Sequence, residues 1–137
     1  MKALICGGRN YYARQTVFDA LNALCPDVVI EGGANGADAF AAAWAKGTKT
    51  PLWTFPANWQ VHGPAAGPMR NGSMLQHGQP DVVLAFEGGR GTESMTRKAE
   101  ALGVLVVRPD SDDQWLAKVR AMSAPAESEL ERIRRQA

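Results

Sequence analysis

Two glycine-rich turns carry the residue types best suited to binding a phosphate group. They span residues 32–36 and 88–92, and each follows a short apolar run and precedes a helical pattern. Glycine tolerates positive φ and lets a ligand approach the backbone closely. A helix N-terminus adds free N–H groups and partial positive charge at the same place. We therefore expect a phosphorylated ligand, with a nucleotide as the leading candidate.

The 88–92 turn is the better phosphate cradle. Thr92 could cap the following helix and also donate its hydroxyl to a phosphate oxygen. A tight strand–helix turn without a ligand is the alternative interpretation. No Gly-Lys-Ser/Thr follows the turn, and its spacing is not that of the dinucleotide fingerprint, so neither phosphate-binding motif is predicted. The glycines expected to contact the ligand here are Gly88, Gly89 and Gly91.

The 32–36 turn is flanked by two carboxylates, which favours contacts with a sugar or base. Glu31 ends the preceding strand, where a buried acid is costly unless it faces a ligand or a partner arginine. Asp38 lies in the first helical turn, where it either stabilises the helix dipole or accepts hydrogen bonds from ribose hydroxyls or a base. The glycines expected to approach the ligand are Gly32, Gly33 and Gly36.

A third turn, at residues 7–11, and a later helix start supply positive charge. Arg9 follows Gly8 and is placed to bind an anion through a bidentate pair of guanidinium hydrogen bonds. Arg70 and Asn71 lie at the start of a predicted helix, a position that suits phosphate binding. These residues complete the predicted binding set.

Strands and helices alternate along the chain, which predicts a mainly parallel sheet of about five strands. The predicted strands are 3–6, 28–31, 52–55, 82–86 and 104–107. The predicted helices are 14–24, 37–46, 69–76, 94–102 and 113–122, with a glycine- and proline-rich loop over 56–68. In such sheets ligands bind beyond the carboxyl ends of the strands, where all three turns lie. We expect one domain over residues 1–124 and a helical or disordered tail over 125–137.

Composition excludes several classes of partner. The formal net charge of +1 provides no large basic field, so no nucleic-acid partner is expected. The two cysteines, Cys6 and Cys25, lack metal-ligand or disulfide spacing, and both are expected to be buried thiols. No metal or cofactor is predicted.

The N-terminal apolar run is too short for a signal peptide or a membrane span. No membrane association is therefore expected, and a cytoplasmic location is the simplest interpretation.

Together, these motifs resemble the YspA/YpsA-related branch of the SLOG superfamily. The resemblance runs in order over residues 1–107. It rests on Gly7-Gly8-Arg9, Gly32-Gly33-Ala34-x-Gly36-Ala37-Asp38, Pro56-Ala57-x-Trp59, Gly67-Pro68-x-Arg70-Asn71-x-x-Met74 and Gly88-Gly89-x-Gly91-Thr92. It implies an α/β, three-layer Rossmann-like fold that binds nucleotides or nucleotide-derived ligands. Related proteins are often dimers, so a homodimer is plausible.

Some relatives of this branch are phosphoribohydrolases that cleave the N-glycosidic bond of nucleoside 5′-monophosphates. Ser94 and Met95 stand here in place of their two acidic residues, and Glu93 lies one residue earlier, on a different face of the helix. Glu87 replaces their proline before the glycine turn. Ligand binding is therefore the leading hypothesis. Hydrolysis with Glu31, Glu87 or Glu93 as the acid is the alternative, and a structural or regulatory module with empty turns is the third.

Overall fold

Five short strands form one sheet in which every neighbouring pair is parallel. The computed structural model describes residues 1–123 and residue 134. The strands are β1 (Lys2–Cys6), β2 (Val28–Glu31), β3 (Leu52–Thr54), β4 (Val82–Ala85) and β5 (Leu105–Val107). Their order in the sheet is β3-β2-β1-β4-β5. The predicted parallel α/β sheet of about five strands is confirmed.

Helices cover both faces of this sheet. They are α1 (Arg14–Leu24), α2 (Ala37–Thr48), α3 (Trp59–His62), α4 (Ala66–Ser73), α5 (Arg90–Ala101) and α6 (Trp115–Ser123). A 3₁₀ turn at Gly63–Ala65 precedes α4, and a π-helical turn at Met74–Gly78 follows it. No helix in the described part of the chain is long and apolar enough to cross a bilayer. The predicted tail at 125–137 lies outside the described residues, apart from Arg134.

The central strands β1, β2 and β4 are mainly apolar because both of their faces are buried. In β1, Ala3 and Ile5 face one cluster, which includes residues of α1, α2 and α6. Leu4 and Cys6 face a second cluster, which includes residues of α5 and the π-helical turn. Burial on two faces explains why the strands read as continuous hydrophobic runs without alternation. The three-layer, Rossmann-like architecture is therefore confirmed.

Several predicted boundaries were wrong. The helix predicted over 69–76 begins earlier, at Ala66, so Arg70 and Asn71 lie within α4 and not at its start. The predicted loop over 56–68 contains α3, the 3₁₀ turn and the start of α4. Pro64 and Pro68 are compatible with this because they lie in first helical turns, where no backbone donor is needed. Asn58 also caps α3 by accepting a hydrogen bond from the Val61 amide at 3.1 Å. Helix α5 begins at Arg90, four residues before the predicted start at Ser94, since Gly91 in its first turn obscured the helical pattern.

The strand order reverses at β1, which places a crevice at the carboxyl ends of β1 and β4. The chain builds outward through β2 and β3 and then returns to pair β4 with the other side of β1. Such a switch point is where open parallel sheets bind ligands. The 7–11 turn follows β1 and the 88–92 turn follows β4. The Gly8 amide donates to the Glu87 carbonyl at 2.9 Å and joins the two turns.

Close backbone packing explains some of the glycines at this edge. Gly36 has a φ of +75°, and a Cβ there would collide with the carbonyl oxygen of Gly8. A Cβ on Gly88 would lie 2.6 Å from the Gly8 nitrogen. Around Gly89 and Gly91, by contrast, an added Cβ would meet nothing within 4 Å. The first group of glycines is required by the fold, whereas the second leaves open space.

Replacing Gly36 with alanine is expected to destabilise the protein by about 2–4 kcal/mol, because the methyl group forces both a strained φ and a backbone collision. Gly47→Ala is the control, since Gly47 lies within α2 and an added Cβ there is free of contacts. We expect the control to stabilise the helix by up to about 1 kcal/mol. Urea unfolding followed by circular dichroism measures both values, and equal stabilities would contradict this account of Gly36.

Candidate ligand-binding site

A cleft of about 720 Å³ opens at the carboxyl ends of β1 and β4. This volume lies within the usual range for small-molecule sites. The predicted residues that line it are Gly8, Arg9, Asp38, Arg70, Asn71, Glu87, Gly88, Gly89, Gly91 and Thr92. The predicted residues outside its lining are Glu31, Gly32, Gly33, Gly36 and Glu93. The fold thus brings together most of the predicted set, from separate loops and helices.

The 88–92 turn presents a run of unused backbone donors. The five amide groups of residues 88–92 have no acceptor within the described part of the chain. Gly89 occupies the N-cap position of α5, and no side chain caps the helix, so the capping role predicted for Thr92 is not observed. Glu93, the next residue, already donates its amide to the Gly89 carbonyl at 3.0 Å. The open donors are therefore confined to the part of the turn that borders the cleft.

The 32–36 turn differs because the protein's own carboxylates already bind its amides. Asp38 Oδ2 accepts from the amides of Gly32 at 3.0 Å and Ala34 at 3.3 Å. Glu31 Oε2 accepts from the Gly33 amide at 2.6 Å, and its Oε1 accepts from the Thr54 hydroxyl at 2.5 Å. Both oxygens of the buried Glu31 side chain thus hold the fold together. The two turns are similar in sequence but differ in their amides. Those of residues 32–34 already have carboxylate acceptors, whereas those of residues 88–92 have none within the described part of the chain.

Asp38 is a buried acid that borders the cleft. Its residue is only 5% exposed, and burial raises the pKa of its carboxyl to about 6. The amide of Ala34 opposes this shift, the charge of Glu31 adds to it, and the Arg70 guanidinium and Gly32 amide also oppose it. The pKa of the neighbouring Cys6 thiol is raised to about 12, mainly by burial and secondly by the charge of Asp38. Cys6 therefore stays a neutral thiol at physiological pH. It is buried as predicted, whereas the same prediction was wrong for Cys25, which is exposed at the C-terminal end of α1.

Arg70 and Asn71 connect the two glycine turns. Arg70 Nη1 donates to the Gly32 carbonyl at 2.6 Å, and its Nε donates to Asn71 Oδ1 at 3.0 Å. The Asn71 amide group then donates to the Gly91 carbonyl at 3.3 Å, and the residue is 4% exposed. The guanidinium of Arg70 is thus held at a fixed place beside the open 88–92 turn.

Three guanidinium groups, those of Arg9, Arg70 and Arg90, border the cleft without ion-pair partners among the described residues. Glu87 and Arg90, although close in the chain, form no ion pair with each other. Unpaired cations beside open amide donors favour an anionic ligand, because each guanidinium has donors available for a carboxylate or phosphate oxygen.

Asp110 also lines the cleft, although no motif in the sequence predicts this. Its Oδ1 accepts from the Tyr11 hydroxyl at 2.6 Å and its Oδ2 from the Glu87 amide at 2.9 Å. Burial and the hydrogen bond to Asp110 raise the pKa of Tyr11, whose ring packs 5.5 Å from that of Phe86. The available signal was its position, just beyond β5 at the same edge of the sheet.

A second cleft of about 680 Å³ lies on the other side of the 88–92 turn. Glu93 lines this second cleft, together with Arg108 from the end of β5. The three predicted acids are thus separated: Glu87 borders both clefts, Glu93 only the second, and Glu31 neither. Among the described residues, no group of three or more His, Cys, Asp or Glu side chains comes together as a metal site would require.

Comparison with known proteins identifies a matching family and a similar phage protein. Residues 1–62 match the family described as "YAcAr: YspA, cpYpsA-related SLOG family". The chain is also similar to the Gene 61 protein of Mycobacterium phage D29, with 38% identity over 118 residues. That alignment covers 77% of this chain and 94% of the phage protein.

The raised pKa of Asp38 predicts a pH-dependent stability. Between about pH 4 and pH 6 this carboxyl is ionised in the unfolded chain but protonated in the folded one. Raising the pH through that window therefore lowers the free energy of unfolding, by about 3 kcal/mol for a shift from 3.8 to about 6. Asp38→Asn keeps an oxygen for the amides of Gly32 and Ala34 but does not titrate. The free energy of unfolding of this variant should therefore fall less across the same pH window.

Urea unfolding of both proteins at several pH values, followed by tryptophan fluorescence, measures this difference. Identical pH dependence in wild type and Asp38→Asn would show that another group is responsible.

Proposed function

Because the chain belongs to the YspA, cpYpsA-related SLOG family, we propose that its main cleft binds a nucleotide or a nucleotide-derived phosphorylated small molecule. The family resemblance predicted from the glycine motifs is thereby confirmed. The observation that carries the proposal is the run of unpaired amides at residues 88–92, which opens onto a cleft with unpaired arginines. An anion there would receive several hydrogen bonds without any rearrangement of the backbone.

The phosphate of the ligand would bind at the 88–92 turn. The turn begins α5, a helix of 12 residues, whose dipole adds partial positive charge to the free amides. The Thr92 hydroxyl and the Arg70 guanidinium border the same space and supply further donors. Arg9 and Arg90 are exposed and extend the positive charge to the rim of the cleft.

The remainder of the ligand would face Asp38. This carboxyl uses Oδ2 to hold the 32–36 turn, and Oδ1 has no hydrogen-bond partner among the described residues. Ribose hydroxyls or a base amino group would complement it as donors. The 32–36 turn thus acts on the ligand through Asp38, with its own amides already bound. A small molecule suits this site better than a nucleic acid, given the chain's net charge of +1.

A hydrolase acting on nucleoside 5′-monophosphates is the second candidate, and the pKa of Asp38 favours it. A carboxyl with a pKa of about 6 that borders the cleft can hold a proton near neutral pH and give it to a departing base. Glu87 borders the same cleft, whereas Glu31 is engaged in holding the fold. Asp38 and Glu87 are therefore the acids to test for this activity.

Isothermal titration with adenosine 5′-monophosphate, ribose 5-phosphate and adenosine tests the proposed function. We expect the phosphorylated compounds to bind at least about tenfold more tightly than adenosine, and their affinity to fall with added salt. Absence of binding across a panel of nucleoside phosphates would overturn the proposal. Chromatography of the same mixtures detects free base, and its release by wild type but not by Asp38→Asn or Glu87→Gln would identify the hydrolase.

Gly91→Ala separates a ligand role for the open glycines from a folding role. The added methyl group meets nothing in the protein, so we expect unchanged or slightly increased stability. The same methyl group would occupy space beside the phosphate and reduce affinity for adenosine 5′-monophosphate about tenfold. Gly47→Ala, remote from the cleft, is the matched control for both measurements. Wild-type affinity in Gly91→Ala would argue that the turn does not touch the ligand.

A further inference from the structure

We propose that Asp110 is a positioning residue of this ligand site, because its carboxylate ties together the turns that carry the phosphate-binding groups. The inference rests on the proposed function and adds a residue to it. Asp110 follows β5, and its two oxygens accept hydrogen bonds from the loops after β1 and β4. One side chain thus connects the ends of three strands.

The first of these contacts anchors the residue that precedes the open turn. Asp110 Oδ2 accepts from the Glu87 amide at 2.9 Å, and the Glu87 carbonyl accepts from the Gly8 amide at 2.9 Å. The backbone of Glu87 is therefore held through both its donor and its acceptor. The five free amides that follow begin from this fixed point, so their direction towards the cleft depends on it.

The second contact anchors the turn that carries Arg9. Asp110 Oδ1 accepts from the Tyr11 hydroxyl at 2.6 Å, and the Tyr11 ring packs against Phe86. The Tyr11 amide donates to the Gly8 carbonyl at 3.1 Å, which closes a tight turn with Arg9 at its tip. Through Tyr11, Asp110 thus fixes the second wall of the cleft against the first.

Electrostatics makes this proposal testable by the sign of an effect. A carboxylate beside a phosphate site is repulsive, so removing its charge alone would strengthen anion binding. Removing its two hydrogen bonds would loosen both turns and weaken binding. Asp110 is exposed, so its replacement leaves the hydrophobic core intact. A positioning role and a purely electrostatic role therefore predict opposite changes in affinity for Asp110→Ala.

The experiment measures the affinity of adenosine 5′-monophosphate for wild type, Asp110→Ala, Asp110→Asn and Tyr11→Phe. We expect about tenfold weaker binding for Asp110→Ala and about threefold for Tyr11→Phe, which loses one contact without a change of charge. Asp110→Asn keeps an acceptor for the Glu87 amide and should recover most of the affinity. Asp113→Ala is the matched control, since it removes an equal charge from an exposed residue of the same segment.

Amide hydrogen exchange of Glu87 in the ligand-free protein provides an independent measurement. We expect exchange at least about tenfold faster in Asp110→Ala than in wild type, with an unchanged global free energy of unfolding. Affinity equal to or higher than wild type in Asp110→Ala, or an equal loss in Asp113→Ala, overturns the positioning role. If wild type binds no nucleoside phosphate, the proposed function fails, and the positioning role in binding fails with it; the exchange rates then report only whether Asp110 holds the Glu87 backbone.

Discussion

The close approach of three backbone turns at one edge of the sheet is the constraint on which the site depends. Gly8 lies between the turns that follow β2 and β4, and neither Gly36 nor Gly88 leaves room for a side chain against it. The hydrogen bond from Gly8 to Glu87 holds this contact across the switch point. Because the turns touch, groups far apart in the chain share one cleft, and small displacements of any turn would change its geometry.

The two similar glycine turns illustrate how one local motif can serve opposite purposes. Buried amides must find acceptors, and Asp38 and Glu31 supply them at the 32–36 turn. The 88–92 turn is also flanked by carboxylates, Glu87 and Glu93, but neither accepts a hydrogen bond from its amides, so these stay available for an external anion. Arg70 bridges the two through Gly32 and, by way of Asn71, Gly91. The carboxylates of Asp38 and Glu31 thus accept hydrogen bonds from the 32–36 turn in the same way that the proposed phosphate would accept them from the 88–92 turn.

Much of the fold could be predicted from local patterns. Strand β2 was predicted at its observed bounds, and α1 likewise, because apolar runs and helical periodicity are strong signals in a sheet buried on both faces. Residues 56–68 were mispredicted since prolines in first helical turns look like loop residues. Most of the predicted binding residues do line one cleft, whereas the start of α5 was misplaced because Gly91 lies in its first turn.

The amino-acid sequence by itself determined the family, the parallel α/β plan and the edge of the sheet at which the glycine turns gather. Each of these follows from local composition, from order along the chain or from motifs at fixed spacing. Only the tertiary structure decided what each carboxylate does: Asp38 holds a neighbouring turn at the border of the cleft, while Asp110 joins Tyr11 to Glu87. Asp110 is far from both partners in the chain, and no periodic pattern encodes such a pairing. It exists because the strand order brings the three loops to one point.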